Sequence, residues 1–377
     1  MVEIRDFSSR RNFPGEVGND FDVILHKYDA IQKIPWPLFA ALLFLVAMIP
    51  TRADWSLTVS LWLFFIMDWL LLAFLPKAGK SFGPPKPPVL VLAVLRALAG
   101  WLPLWGFLPL QLLGTLLVIY GFWIEPHHIR VTHQKLKSSK IKPGPPIRLL
   151  HLGDLHIERL TRREQDLQKL VHTLNPDIIL FSGDVLNLSY VRDPQAKDIA
   201  RQIMSTWDAP YGIYAVLGSP AVDLDYTVQA IYANLPVHLL RGERMTLKIH
   251  NQQIDLIGLD CTHRPYLDSP RLDQLVDPHS KRFTIFLYHS PDLAPNAAQH
   301  NIDLQLSGHT HGGQVRLPWL GAFFTASLYG KVFEAGRYLL KDLTLYITRG
   351  LGMEGAGAPR VRFLCPPEII LWEISAP

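Results

Sequence analysis

Cysteine is nearly missing from this 377-residue chain: there are two, Cys261 and Cys365, far apart and outside any Cys-x-x-Cys spacing. A disulfide framework is therefore not indicated, and a reducing compartment is compatible. The second half has no block of Lys and Arg interleaved with aromatics, so the net charge of +4 gives no sign of nucleic-acid binding and no nucleic-acid partner is expected. No apolar run lies near the N-terminus, where Arg5, Arg10, Arg11, Lys27 and Lys33 stand among several acids. Residues 1–33 thus read as a polar cytoplasmic leader and not as a cleavable signal peptide.

Apolar residues are plentiful but unevenly placed. From Ile34 to Ile124 the chain is dominated by Leu, Phe, Trp, Val and Ala, whereas from Lys135 onward charges are regularly interspersed. This predicts an α-helical transmembrane region over 34–125, a Pro/Lys-rich linker over 126–146 and a globular domain over 147–377. Leu38 to Ile49 is short for a span, Trp55 to Leu75 is long enough, and Pro88 to Ile124 breaks near Gly100, Pro103 and Gly106 into two, which makes about four helices. The loop Lys77–Lys80–Lys86 and the tail Lys135–Lys137–Lys140–Lys142 are basic, and by the positive-inside rule they face the cytoplasm. An integral protein of the inner membrane with its globular domain in the cytoplasm is expected. Asp68 and Arg96 interrupt the apolar runs at similar depth, and an ion pair between them is predicted because unpaired charges there are costly.

The globular part alternates short apolar runs with helical segments. Strands are predicted at 147–152, 177–182, 213–217, 254–259, 283–288, 303–306, 343–348 and 368–373, with helices over 162–174 and 194–207, a pattern of layered α/β structure.

Acids and imidazoles follow several of these strands. Gly153-Asp154-Leu155-His156 comes after the first, Gly183-Asp184 after the second, His289 after the fifth and Gly308-His309-Thr310-His311-Gly312-Gly313 after the sixth. The mouths of strands are where α/β sheets gather ligands. Taken singly, Asp154 and Asp184 also suit helix N-caps and His289 a buried structural histidine; their joint occurrence favours a site. Two Asp and four His with no thiolate suit Mn, Fe or Zn, and a bridging Asp184 would hold two ions about 4 Å apart, an arrangement that generates a metal-bound hydroxide in line with phosphorus. Gly312-Gly313 is expected to keep side chains away from the space between His309 and His311.

The series Asp154-x-His156, Gly183-Asp184, His289 and Gly308-His309-x-His311 resembles the calcineurin-like metallophosphoesterase signature, over roughly Arg148 to Ile374. The wording around His309–Pro318 and Thr348–Gly352 resembles the bacterial branch containing membrane-associated phosphodiesterases and a UDP-diacylglucosamine hydrolase. The resemblance implies a four-layer α/β/β/α sandwich and two divalent metal ions. Asp154, His156, Asp184 and His311 would hold one ion and Asp184, His289 and His309 the other, with Asp184 and His309 as the catalytic pair. The chain departs from the family's Gly-Asn-His at Gly218-Ser219-Pro220. Ser219 would be a weak neutral oxygen ligand, and Pro220 can neither donate nor accept a proton. His263 and Asp223 are candidates for the vacated space, but each reads more readily as an ordinary loop residue.

The expected function is a membrane-anchored, metal-dependent hydrolysis of a phosphodiester or pyrophosphate, suited to a lipid-linked substrate at the bilayer. Arg316 and Arg349, with Arg360 and Arg362, are available to pair with phosphate. The alternative is a degenerate member that acts as a phospholipid or nucleotide sensor or scaffold without turnover, motivated by the lost Asn-His pair.

Overall fold

Two sheets whose central strands are buried on both faces organise the second two-thirds of the chain. The computed structural model describes residues 2–377. Its strands, in chain order, are β1 (Arg130–Lys137), β2 (Ile147–Leu152), β3 (Ile178–Phe181), β4 (Ile213–Ala215), β5 (Val237–Leu239), β6 (Glu243–Ile249), β7 (Gln252–Gly258) and β8 (Phe283–Leu287). They continue with β9 (Leu304–Ser307), β10 (Arg316–Leu317), β11 (Gly321–Ala322), β12 (Gly336–Leu340), β13 (Leu343–Ile347) and β14 (Glu368–Ser375). One sheet has the order β1-β14-β2-β3-β4-β5 and a second β12-β13-β9-β8-β7-β6; β10 and β11 form a separate hairpin. Strands β2 to β5 are mutually parallel, as are β7, β8, β9 and β13.

Alternation along each strand builds a layered core. Leu149, Ile178 and Leu180 of the first sheet meet Leu256, Ile285 and Leu306 of the second in one cluster between the sheets. On the outer face of the first sheet, Leu150, Ile179 and Phe181 pack against α6 (Arg162–Leu174), α7 (Pro194–Met204) and α8 (Asp225–Tyr232). The second sheet carries Ile257, Phe286 and Leu345 outward against α9 (Pro265–Leu275) and α10 (Ala294–Ala297). The result is a mixed fold with helices outside two facing sheets. Helix α6 shows how local sequence sets the ends: the Thr161 amide donates to Glu164 Oε2 at 2.9 Å, Thr161 Oγ1 accepts from the Arg163 amide at 3.2 Å, and Asn175 stops the helix at φ 43°.

Two expectations on organisation are corrected. The segment read as a linker contains β1, which pairs parallel with β14 over eight positions from Arg130↔Glu368 to Lys137↔Ser375. As an edge strand with exposed His133, Lys135 and Lys137, it looks polar in sequence while its backbone is fully engaged on one side. The polar leader also has structure. It forms α1 (Asp20–Asp29), buries Phe13 in the core beneath the second sheet and places Leu25 against Leu188 and Ala356.

The apolar third forms α2 (Trp36–Met48), α3 (Trp55–Phe74), α4 (Lys86–Ala97) and α5 (Leu104–Val118), the last continuing through a π turn at 119–124. Two helices, Trp55–Phe74 and Trp105–His127, are long and apolar enough to cross a membrane, or three elements if the pair Asp20–Lys33 and Trp36–Met48, bent by 108°, counts as one. Helices α2 and α4, of 13 and 12 residues, reach only about 20 and 18 Å at ~1.5 Å per residue, short of a ~30 Å hydrocarbon core. Polar groups fix the starts of α3 and α4. Asp54 caps α3 by accepting from the Leu57 amide at 3.0 Å, and Lys86 begins α4 with its ammonium on the carbonyls of Gln32 and Ile34, at 3.0 and 2.5 Å. The predicted ion pair is present: Arg96 Nε and Nη2 donate to Asp68 at 2.7 and 2.8 Å. Arg96 also donates to the Gln111 carbonyl at 2.6 Å and to Thr115 Oγ1 at 2.9 Å, so the buried guanidinium is saturated.

These helices sit against the α/β domain. Glu125 accepts from the amides of Leu364 and Cys365, the Arg362 amide donates to the Gly121 carbonyl at 3.0 Å, and Glu158 joins Arg360 (2.6 Å) to the Phe82 amide (2.9 Å).

Candidate active site

Five strands, β2 and β3 of the first sheet and β7, β8 and β9 of the second, end at one place. The residues that follow turn sharply there: Asp154 (φ 49°), His156 (42°), Asp184 (61°), His263 (59°), His309 (72°) and His311 (51°) all adopt left-handed backbone that non-glycine residues rarely visit. Strain concentrated in one loop cluster marks a functional site. His289 completes the set from the end of β8, and all seven side chains are buried.

Their donor atoms fall into two adjoining groups. Asp154, His156, Asp184 and His311 form one, and His263, His289 and His309 the other, each with its donor atoms within 4.8 Å of one another. Asp184 Oδ2 lies between them, 3.4 Å from Nε2 of both His156 and His289. The imidazole centroids of His263 and His309 lie 4.3 Å apart with their planes tilted by 42°, and those of His156 and His311 lie 4.7 Å apart, tilted by 38°.

Backbone amides and glycines hold the carboxylates. Asp184 Oδ1 accepts from the Ser219 amide at 2.6 Å, and Asp154 Oδ1 from the His309 amide at 2.8 Å. A Cβ on Gly218 would fall 2.1 Å from Asp184 Oδ1, and one on Gly308 2.3 Å from Asp154 Oδ2, so only glycine admits the carboxylates so close. His289 donates through Nδ1 to the Ser182 carbonyl at 2.8 Å, which frees Nε2 toward the site. The glycine pair behind His311 has a different task from the one expected. A Cβ on Gly312 would strike Arg349 and Cys365, and one on Gly313 would strike Phe324 and Ala322, so both serve close packing behind the site.

Charge and burial leave donor atoms available. Asp154 Oδ2, both ring nitrogens of His156, His309 Nε2 and His311 Nδ1 are buried without a hydrogen-bond partner. Burial, with the neighbouring imidazoles, pushes His263 and His311 well below the ordinary histidine range and His309 down to about 3, which keeps them neutral. Burial opposes charge at His289 too, but the Asp184 carboxylate outweighs it and raises this imidazole to about 9. Burial lifts Asp154 to about 6. Unpaired buried donors, three neutral imidazoles and the Asp184 carboxylate between the two groups fit divalent cations better than they fit a self-sufficient hydrogen-bond network.

Every sequence-predicted ligand is therefore in the cluster, and so is Ser219, whose Oγ lies 3.0 Å from His289 Nε2 and 3.4 Å from His309 Nδ1. The two residues set aside as ordinary loop positions have definite places. His263 stands in the site, its Nε2 3.2 Å from Ser219 Oγ. Asp223 braces the site from behind, accepting from the amides of Asp184 (2.8 Å), Val185 (2.9 Å) and Gly218 (2.8 Å). His263 follows β7 as the other ligands follow their strands, and that position was its only sequence signal. The leader covers it: the Gly15 carbonyl accepts from the Ala221 amide at 3.0 Å, and a Cβ on Gly15 would fall 2.3 Å from His263 Nε2.

The arginines are not free for phosphate. Arg316 pairs with Glu334 at 2.8 Å and Arg349 with Glu368 at 2.9 Å, both lining a polar cavity of about 300 Å³ outside the donor cluster. Arg360 pairs with Glu158, and Arg362 is spent on the carbonyls of Arg349, Gly350, Gly352 and Cys365.

Two facing sheets whose strand ends converge on paired acid and histidine groups define a metallophosphoesterase. Residues 147–313 match the family model described as calcineurin-like phosphoesterase. The chain is 31% identical over 269 residues to the metallophosphoesterase YkuE of Bacillus subtilis, covering 68% of this chain and 89% of that protein. It is 24% identical over 315 residues to the UDP-2,3-diacylglucosamine pyrophosphatase LpxG of Chlamydia trachomatis (67% and 91%), and 24% over 258 residues to the phosphodiesterase YaeI of Escherichia coli (68% and 92%). The chain belongs to the calcineurin-like family of metal-dependent phosphoesterases.

Proposed function

We propose that the chain is a membrane-anchored phosphoesterase that hydrolyses a phosphodiester or pyrophosphate bond of a lipid-linked substrate at the cytoplasmic face of the inner membrane. The observation that carries this reading is Asp184 Oδ2, equidistant from His156 and His289 between two groups of buried donors. In it, Asp154, His156, Asp184 and His311 hold one ion, and Asp184, His263, His289 and His309 the other, with the Ser219 hydroxyl a weak neutral ligand. The donor set suits Mn, Fe or Zn. Two such ions would supply Lewis acidity toward the phosphoryl oxygens and lower the pKa of an attacking water.

The remaining work falls to the chain itself. Asp184 sets the negative charge that two cations need, held in place by the Ser219 amide and, through its own amide, by Asp223. His309 presents an unpartnered Nε2 to the site. Pro220 leaves no acid where the family places a histidine, which favours leaving groups that need no proton, such as a nucleoside phosphate from a pyrophosphate. Relatives of the chain include a UDP-2,3-diacylglucosamine pyrophosphatase and a phosphodiesterase. The sensor alternative rested on the lost Asn-His pair; His263, grouped with His289 and His309, supports the reading that the second ion can still be held.

Membrane anchorage is supported by the two long apolar helices, and the cytoplasmic orientation by the basic loop at Lys77–Lys86. The catalytic unit is best drawn as residues 126–377, because β1 belongs to its sheet, with residues 34–125 as the anchor and residues 1–33 folded onto both. Purified full chain, stripped with EDTA and reloaded with Mn²⁺, should regain hydrolysis of bis-p-nitrophenyl phosphate and of a lipid-linked pyrophosphate. Restored binding of metal with no turnover of either ester would instead favour the sensor.

A further inference from the structure

A cavity of about 660 Å³ opens between α4 and α5, with Val91 and Leu95 on one side and Leu113 and Leu117 on the other. Its third wall is the catalytic domain, through Val315 and Phe363. The volume lies within the roughly 300–1,000 Å³ of ordinary ligand sites. A gap between two bilayer helices alone would merely admit bulk lipid; the third wall makes this one different. Val315 is four residues beyond His311, which puts the two no more than about 14 Å apart along the chain. It bridges Phe363 in parallel, and the Phe363 amide donates to the Gln314 carbonyl at 2.9 Å, so the wall is continuous with the ligand-bearing turn.

The lining also restricts the occupant. Its one cation, Arg96, is saturated by Asp68, Gln111 and Thr115, leaving no charge for an ionic ligand. A peptide would bring backbone amides and carbonyls into a space with no partners for them. A hydrocarbon chain brings neither. Beside the groove, the β10–β11 hairpin exposes an apolar tip. Leu317 lines the cavity, and Trp319 (104%), Leu320 (54%) and Phe323 (74%) project outward where the cytoplasmic end of α5 meets the domain. An exposed Trp with aliphatic neighbours suits the headgroup layer of a bilayer.

We propose that the α4–α5 groove is the acyl-chain subsite for a membrane phosphoester, with the Pro318–Leu320 tip seated in the headgroup layer beside its mouth. This rests on the lipid-phosphoester reading given above. It makes the anchor part of substrate recognition: the tail lies along the groove and the phosphoester is presented at the edge of the donor cluster.

The test uses full chain in phospholipid nanodiscs doped with a phosphatidylglycerol that carries a diazirine in one acyl chain; labelled peptides are mapped after illumination. Labelling at Val315–Leu317 and Val361–Phe363 should exceed that at the outward-facing Leu63 and Leu70 of α3. Leu95→Trp and Leu117→Trp, filling the groove from either side, should each lower it about tenfold, the effect of excluding roughly two methylenes. Both variants are first checked for an unchanged melting curve, and two helices are used so that one misfolded variant does not decide the matter. Equal labelling of the groove and the α3 face, or labelling unaffected by both tryptophans, overturns the subsite. Mn²⁺-dependent cleavage of bis-p-nitrophenyl phosphate by the wild type, run in parallel, tests the enzymatic reading separately: groove labelling without cleavage would keep the subsite and reject the enzyme.

Discussion

His263 Nε2 lies 3.2 Å from Ser219 Oγ, so the histidine stands against the residue that takes the place of the family's asparagine. The substitution in one loop is thus matched by a side chain from another. Ser219 alone leaves a short hydroxyl where a carboxamide would reach, and the adjacent imidazole closes the gap from the end of β7. His263→Ala is therefore expected to lower bound metal from about two ions per chain to about one, keeping the Asp154 group loaded. Elemental analysis after gel filtration reads this directly. Two retained ions would mean that Ser219 suffices and His263 is structural.

Metal uptake should release protons in a pH-dependent way. With no cation bound, His289 holds its proton up to about pH 9, because the Asp184 carboxylate stabilises the imidazolium against the effect of burial. Ligation needs the neutral ring, so below about pH 9 loading expels the His289 proton and, at lower pH, also that of His156, which the Asp184 carboxylate raises against the effect of burial; affinity falls as pH is lowered. Below about pH 6 Asp154 is also protonated and adds another. Calorimetric titrations in buffers of different ionisation enthalpy should give a release of at least one at pH 7.5 and a larger one at pH 5.5. A release of zero at pH 7.5 would show that His289 is not a ligand.

In the apolar bundle, the Asp68–Arg96 pair should behave as a unit. Removing either partner leaves a buried charge or unpaired donors, at a cost of about 3–5 kcal/mol, whereas removing both costs less than the sum. Thermal melts of Asp68→Ala, Arg96→Ala and the double variant in detergent check this. Strictly additive losses would assign the stability to Gln111 and Thr115 instead.

The spacing of motifs was readable because every candidate ligand follows a strand, and strand ends are fixed by local pattern. Strands β2, β7, β8 and β9 come from short apolar runs that need no long-range information. Strand β1 escaped because its outward residues are polar and its pairing with β14 joins segments more than 230 residues apart. The leader escaped for a related reason: Phe13 and Gly15 matter through contact with the second sheet's core and with His263, and nothing in their neighbourhood announces either. The arginines misled in the opposite direction. A cation near a motif in sequence looks free until its partner, Glu334 for Arg316 or Glu368 for Arg349, arrives from another strand or loop.

On this reading one carboxylate, that of Asp184, serves two ions. Metal content of Asp184→Asn against His311→Ala, each purified from Mn²⁺-supplemented culture and analysed for bound metal, decides whether it does. Asp184→Asn is expected to lose both ions, and His311→Ala to empty mainly the first group while the His263 group keeps its own. Equal residual metal in the two variants would contradict a bridging Asp184.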